Sequence, residues 1–318
     1  MVCGGRDRLP RMQTRRAFLR NSGLAAAFMA NLEFLRAEPL NRPVGLQLYT
    51  VGEQLGADFT GTLKKIAAIG YKEVELADAY KKPAAEIRAA FNDAGLTCRS
   101  AHMFDFQKTP AQFMDFAQEV GVKYVITSFN PPASALATFK SGKPDMNAFL
   151  KALEDMSLDD YKRSADTCNS LGEEAKKQGL QYAYHNHNLE FKKLGSGTAY
   201  DLLLSSTDPE LVKLELDCGW MAAAGYDPVA YLNKYPKRYR LLHIKAFKSG
   251  PTSLSLGASE RPVPTELGHG GIAYEPVFAA AKKTEVEQYY VEQEPPFTEM
   301  PALEAIKVNY DFLHKMQA

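Results

Sequence analysis

The sequence predicts an α/β fold, a single (β/α)8 TIM barrel in which eight parallel strands close inside a ring of helices. Three observations carry this. Short apolar runs alternate with amphipathic stretches from Val44 onward, the pattern of strands joined by crossover helices. Gly70, Gly95, Gly121 and Gly179 stand just past amphipathic stretches, where a helix ends in a left-handed residue. The chain has 318 residues, which leaves enough for the ~250 typical of such a barrel after an export segment is removed. The alternative is a doubly wound open sheet. Its Gly-rich phosphate turn after the first strand is missing, because Tyr49 leads into Thr50-Val51-Gly52-Glu53.

The elements follow in order. Val44–Tyr49 is the first strand, and Thr60–Ile69 its helix. Glu73–Leu76 precedes a helix from Pro83 to Ala94, and Leu96–His102 precedes Pro110–Val120. Lys123–Thr127 leads to Tyr161–Lys177, and Leu180–His185 to Thr198–Ser205. Val212–Asp217 leads to Asp227–Tyr235, and Arg240–Lys245 to Pro276–Lys283. Gln288–Glu292 is the last strand and Ala302–Met316 the last helix. Two connections are long, Ser128–Ser157 and Ala246–Ala273. Both leave strand C-termini, where long loops shape a site or cover it.

The N-terminus reads as targeting. Thr14-Arg15-Arg16-Ala17-Phe18-Leu19-Arg20 is followed by a weakly apolar run to Ala30, with Glu33 and Arg36 beyond it. The paired arginines resemble a twin-arginine export signal, so 1–37 is read as that signal and 38–318 as the barrel. The expected location is periplasmic, or otherwise outside the cytoplasm. The apolar run is too short for a stable membrane span. A basic amphipathic helix of the folded domain is the competing reading. Cys3, Cys98, Cys168 and Cys218 are scattered and imply no disulfide framework.

Lys+Arg and Asp+Glu both number 38, so the formal net charge is zero. No basic stripe advertises nucleic acid as a partner. A small-molecule partner, a sugar or keto-glycoside, fits better. A homodimer is compatible with the chain, which does not itself choose an oligomeric state.

In such barrels the chemistry sits at strand C-termini. The strand ends here read Tyr49, Glu75, His102, Thr127, His185 with His187, Asp217, His243 with Lys245, and Glu292 with Glu294. Four of the 6 histidines fall in this set, while His269 lies in the long seventh loop and His314 in the last helix. Imidazoles and carboxylates on one axis make a mixed nitrogen and oxygen site. That set suits Mn²⁺, Zn²⁺, Co²⁺ or Fe²⁺ better than Ca²⁺. A divalent metal there would polarise a carbonyl while a neighbouring base moved a proton, which is the machinery for enolising a keto-sugar. Asp217 reads as a metal ligand, against a helix cap or salt bridge. His243 reads as a ligand, against a core histidine, and Glu292 competes with Glu294. Of His185 and His187, one faces the metal. Glu75, His102, Glu190 and Lys245 are candidates for substrate contact, with His269 a further one. Trp220 reads either as a cover over a sugar face or as packing.

These strand ends also carry a resemblance. Gly-Leu-Gln-Leu-Tyr-Thr-Val (45–51), Ala-Tyr-His-Asn-His-Asn-Leu-Glu-Phe (183–191), Leu-Glu-Leu-Asp-Cys-Gly-Trp (214–220), His-Ile-Lys (243–245) and Tyr-Val-Glu-Gln-Glu (290–294) resemble the sugar phosphate isomerase/epimerase family of xylose-isomerase-like barrels. By position, the resemblance implies metal ligation by His185, Asp217, His243 and Glu292; Glu292 and Lys245 are also read as candidate catalytic residues. Many members have Glu where this chain has His185. In epimerases that carboxylate also shuttles the proton. His187 matches a catalytic histidine of related dehydratases, which makes it the candidate base. Trp220 stands where some members have a histidine. The expected activity is therefore a metal-dependent sugar isomerase or epimerase. The alternative is an exported lyase or hydratase of 3-keto-glycosides on the same site. A carbohydrate-binding protein without catalysis is the competing class. An endonuclease of the same superfamily would need more metal ligands and a basic groove.

Overall fold

The computed structural model describes Met1 and residues 38–103, 108–138, 145–257 and 259–316. The export segment read over 1–37 lies, apart from Met1, outside the described residues. Eight parallel strands form a closed barrel: β1 (Gly45–Gln47), β2 (Glu73–Leu76), β3 (Thr97–His102), β4 (Tyr124–Thr127), β5 (Gln181–His185), β6 (Val212–Asp217), β7 (Tyr239–Ile244) and β8 (Gln288–Val291). Each strand pairs with its sequence neighbours, and β1 closes the ring by pairing with β8 and β2.

The crossover helices are α1 (Phe59–Ile69), α2 (Ala84–Ala94), α3 (Pro110–Val120), α4 (Leu158–Lys177), α5 (Ala199–Ser206), α6 (Pro228–Lys234), α7 (Tyr274–Ala281) and α8 (Ala302–Lys315). Local chemistry sets their ends. Thr109 and Ser157 accept from the backbone of Gln112 and Asp160, whose side chains return the bond, so α3 and α4 start on capping boxes. The box places the start of α4 at Leu158, one turn before the sequence pattern suggests. Gly95 and Gly121 take φ of +70° and +96°, the left-handed stops expected of them.

The long connections are more ordered than the sequence suggests. The segment after β4 carries short helices Ala133–Ala137 and Met146–Glu154. The one after β7 pairs Ala246–Phe247 with Pro264–Thr265 as an antiparallel ladder. A short helix Gly52–Ala57 follows β1, and another, Cys218–Ala223, follows β6. Among the described residues no helix is long and apolar enough to cross a membrane.

Most apolar side chains pack between strands and helices. A separate small cluster, Tyr124, Ile126, Ala183, Leu241 and Tyr290, fills the lower part of the barrel interior. Strand residues alternate in and out, so His185 and His243, two residues past Ala183 and Leu241, also face the lumen above this apolar plug. The chain leaving the strand ends carries His187, Lys245, Glu292 and Glu294.

Candidate active site

Two polar layers sit on the plug. The inner one joins Glu75, Ser100, His102, Glu215 and the far sides of His185 and His243. Glu75 Oε2 lies 2.6 Å from Gln47 Nε2, 3.0 Å from His102 Nε2 and 2.6 Å from His243 Nε2. Its Oε1 accepts from the Ser100 hydroxyl at 2.5 Å. Glu215 Oε2 lies 3.0 Å from His102 Nε2 and 2.8 Å from His185 Nδ1. Burial disfavours the carboxylates, but the imidazoles outweigh it: Glu75 is held well below the usual range, and Glu215 falls to about 2. Burial likewise opposes charge on His102, yet Glu75 and Glu215 raise it to about 9.

The outer layer holds Asp217, Lys245, Glu292 and Glu294. Asp217 caps the Cys218–Ala223 helix, with Oδ1 accepting from Trp220 N at 2.7 Å. Its buried Oδ2 makes no aligned hydrogen bond among the described residues. That oxygen lies 2.9 Å from Lys245 Nζ, 3.6 Å from His185 Nε2 and 3.8 Å from His243 Nδ1. Glu292 Oε2 is 2.9 Å from His243 Nδ1 and 2.6 Å from Lys245 Nζ. Glu294 turns elsewhere, to Lys245 Nζ and Trp220 Nε1 at 2.6 and 2.9 Å and to Arg261. Glu292 is thus the carboxylate beside His243.

Burial pushes Asp217 up to about 6 against the pull of Lys245 and His243. Glu292 is also buried, but Lys245 and His243 hold it well below the usual range. Lys245 is only 2% exposed, and Asp217, Glu292 and Glu294 overcome its burial to keep it an ammonium. Gly219 makes room for it, since a Cβ there would stand 2.2 Å from Lys245 Cγ.

His187 lies at the mouth. Its ring stacks on Phe129 at 4.5 Å and faces Trp220 at 5.6 Å, and Trp220 packs on Phe247 at 4.6 Å. Burial, then Lys245, holds its pKa well below the usual histidine value, so the ring is neutral at pH 7. Its Nδ1 has no hydrogen-bond partner among the described residues, so no neighbour fixes the tautomer through that atom. The two long loops meet beside it. Asn188 donates to the Ser253 and Ser255 carbonyls, and the Ser255 hydroxyl donates to Glu154 Oε1 at 2.6 Å. A groove of about 860 Å³, lined by Phe247, Lys248, Ser253 and Arg261 among others, runs between the seventh loop and the Cys218–Ala223 helix.

The structure gathers His185, His187, Asp217, His243, Lys245 and Glu292 as the sequence suggests. It places others differently from expectation. Glu75 and His102 lie a layer below and touch the ring nitrogens. Glu190 is a brace rather than an open contact: it accepts from Tyr184 OH at 2.8 Å and His187 N at 3.0 Å, and burial raises it to about 7. Trp220 is 0% exposed, wedged under Arg261 and Lys245 rather than lying over an open face. His269 is largely exposed, 3.8 Å from Glu266 Oε2, outside the cluster. Sequence reasoning missed Glu215 and Arg261. The signal for Glu215 was present, because it stands two residues before Asp217 and so shares its lumen face. Arg261 sits in a loop, where no periodicity points to a partner.

Comparisons agree with this architecture. A sequence profile described as xylose isomerase-like TIM barrel matches residues 63–316. An inosose dehydratase of Clostridium beijerinckii is 27% identical over 261 residues, covering 74% of this chain and 83% of its own length. One from Geobacillus thermodenitrificans is 27% identical over 267 residues, covering 76% and 85%. A solved structure of a sugar phosphate isomerase/epimerase from Parabacteroides distasonis superposes with a TM-score of 0.67 at 25% identity, over 85% of this chain and 93% of that one.

Proposed function

The chain belongs to the xylose isomerase-like TIM barrel family, and on that premise we propose that it is a divalent-metal-dependent lyase that eliminates water or an alcohol from a keto-sugar by enolisation. The observation that carries this is the convergence of His243, Glu292 and His185 on Asp217, whose buried Oδ2 makes no aligned hydrogen bond among the described residues, with the His187 ring 5.0 Å from that of His185. Similarity to inosose dehydratases supports the choice of a lyase.

The residues fit a metal. Asp217 Oδ2, Glu292 Oε2, His243 Nδ1 and His185 Nε2 would hold it: the first three residues offer atoms within 4.8 Å of one another, and His185 Nε2 stands 3.6 Å from Asp217. Buried donors of two types suit Mn²⁺, Zn²⁺, Co²⁺ or Fe²⁺. His102, His185, Glu215 and His243 form a second set at similar spacing. There Glu215 Oε2 already stands 2.8–3.3 Å from three imidazole nitrogens, while its Oε1 makes no hydrogen bond among the described residues. We assign that set to support.

A bound metal would supply Lewis acidity to the ketone. His187, neutral and walled by Phe129 and Trp220, takes the proton from the carbon next to the ketone. The electron pair left by that C–H bond becomes the C=C bond, and the C–O bond at the next carbon breaks. The imidazolium so formed returns the proton to the departing oxygen. Lys245, fixed as an ammonium, stabilises the negative charge that develops. The groove beside Arg261 gives room for the rest of the substrate.

An isomerase or epimerase is the second reading, favoured by the Parabacteroides structure. It has to work without a strand-five carboxylate, because His185 stands there. The Thr14–Ala30 segment supports an enzyme acting outside the cytoplasm by the twin-arginine route, which cell fractionation tests. Incubation with keto-sugars and 3-keto-glycosides in D₂O decides the chemistry. Deuterium beside the ketone together with an unsaturated ketone product supports the lyase. Deuterium with an epimeric sugar supports the isomerase. A metal-loaded protein that gives neither, yet binds sugar, is a binding protein and overturns the proposal.

A further inference from the structure

We propose that His185 and Glu215 act as one unit that sets which metal the chain prefers, an inference that rests on the metal reading above. The two residues are direct register partners across β5 and β6. Both are buried, at 2% and 0% exposure, with Nδ1 to Oε2 at 2.8 Å. A neutral imidazole carries one N–H and one lone pair. With its N–H on Nδ1 and directed at Glu215, His185 presents the Nε2 lone pair toward Asp217 Oδ2, 3.6 Å away. Among the described residues, Glu215 is the partner of Nδ1 and so the group that fixes the tautomer and the ring angle on that side. Glu215 is therefore a positioning residue, acting through the ring.

His243 is held by the same device turned around. Its Nε2 lies 2.6 Å from Glu75 Oε2, which leaves Nδ1 toward Glu292 and Asp217. The inner carboxylates so decide that two nitrogens and two carboxylate oxygens face the metal position. Imidazole suits Zn²⁺ and Fe²⁺, whereas carboxylate suits Mg²⁺ and Mn²⁺. A carboxylate at 185 would also meet Glu215 at hydrogen-bond distance, two like charges in a dry interior. The residues at 185 and 215 must consequently change together.

The test strips the purified chain of metal and measures Zn²⁺ and Mn²⁺ binding by competition with a chromophoric chelator. The visible spectrum of the Co²⁺-loaded protein is recorded alongside. Most sites bind Zn²⁺ more tightly than Mn²⁺, so the readout is the change in that ratio. Glu215→Gln should weaken Zn²⁺ by about 10–100-fold, the usual effect of losing such a partner, affect Mn²⁺ less, and shift the Co²⁺ bands. His185→Glu alone should fold poorly. Combined with Glu215→Gln it should recover its melting temperature and lower the Zn²⁺/Mn²⁺ ratio further. A folded Glu215→Gln protein with unchanged Zn²⁺ affinity and Co²⁺ spectrum overturns the inference. Failure of both Glu215→Gln and the double variant to fold also overturns it, placing Glu215 in the architecture alone. A wild-type chain that binds none of the three metals instead removes the metal reading on which this one stands.

Discussion

The inner and outer polar layers of the lumen are both built on buried carboxylates and are balanced differently. In the inner layer, Glu75 and Glu215 each face imidazole nitrogens at 2.6–3.0 Å, and both are held ionised below the usual carboxylate range. His102 answers by rising to about 9. In the outer layer Asp217, Glu292 and Glu294 share Lys245, with Arg261 pairing to Glu294 alone; Asp217 is raised to about 6, and His187 beside them stays neutral. Reactivity belongs where compensation is incomplete, not where titratable groups are densest. The inner layer holds rings still, and the outer layer meets the substrate.

Breaking the outer layer should cost most. Asp217→Asn should empty the metal position and lower turnover by about 10³-fold, equivalent to several kcal/mol of Lewis-acid stabilisation. Turnover measured with and without added metal checks it. His187→Ala should lower kcat by about 10²–10⁴-fold while metal content stays intact, which separates base from ligand. Glu75→Gln acts one layer down, so it should weaken metal affinity by about 10–100-fold and leave the base's pH dependence in place.

Glu190 sharpens the contrast through stability. Its folded pKa is raised by burial, from 4.5 to about 7, so the folded chain holds a proton that the unfolded chain releases. Stability from this group is present below the unfolded value and falls as pH rises from 4.5 to 7, by at most about 3 kcal/mol. Urea melts across that window should show the slope. Glu190→Gln should flatten it, because the amide does not titrate and keeps one oxygen to accept from His187 N. His269→Ala, on an exposed ring outside both layers, should change stability by no more than about 0.5 kcal/mol.

Much of this was legible in the sequence. The β1–β8 order followed from helix–glycine–strand alternation, and the outer layer from the rule that barrel chemistry sits at strand ends. What escaped lay one pleat deeper. Glu215 was missed and Glu75 was read as a substrate contact rather than a support, because their partners come from strands far away in sequence, such as His102 to Glu215. Such pairings depend on barrel register, which no single strand reveals. The role of Trp220 was open for the same reason. Its burial under Arg261 is a product of loop placement, which hydrophobic periodicity does not encode. Glu190 shows the converse, a polar residue beside the active strand whose bonds turn inward to Tyr184 and His187 N.

The most direct test of the central claim is metal stoichiometry by elemental mass spectrometry on protein purified without chelators, wild type beside Asp217→Asn. About one Mn, Zn, Co or Fe per wild-type chain, lost in the variant, is the outcome expected of an outer layer that binds metal through Asp217. Equal metal in both proteins would contradict it, as would a wild-type chain that stays metal-free after reconstitution yet turns over a keto-sugar.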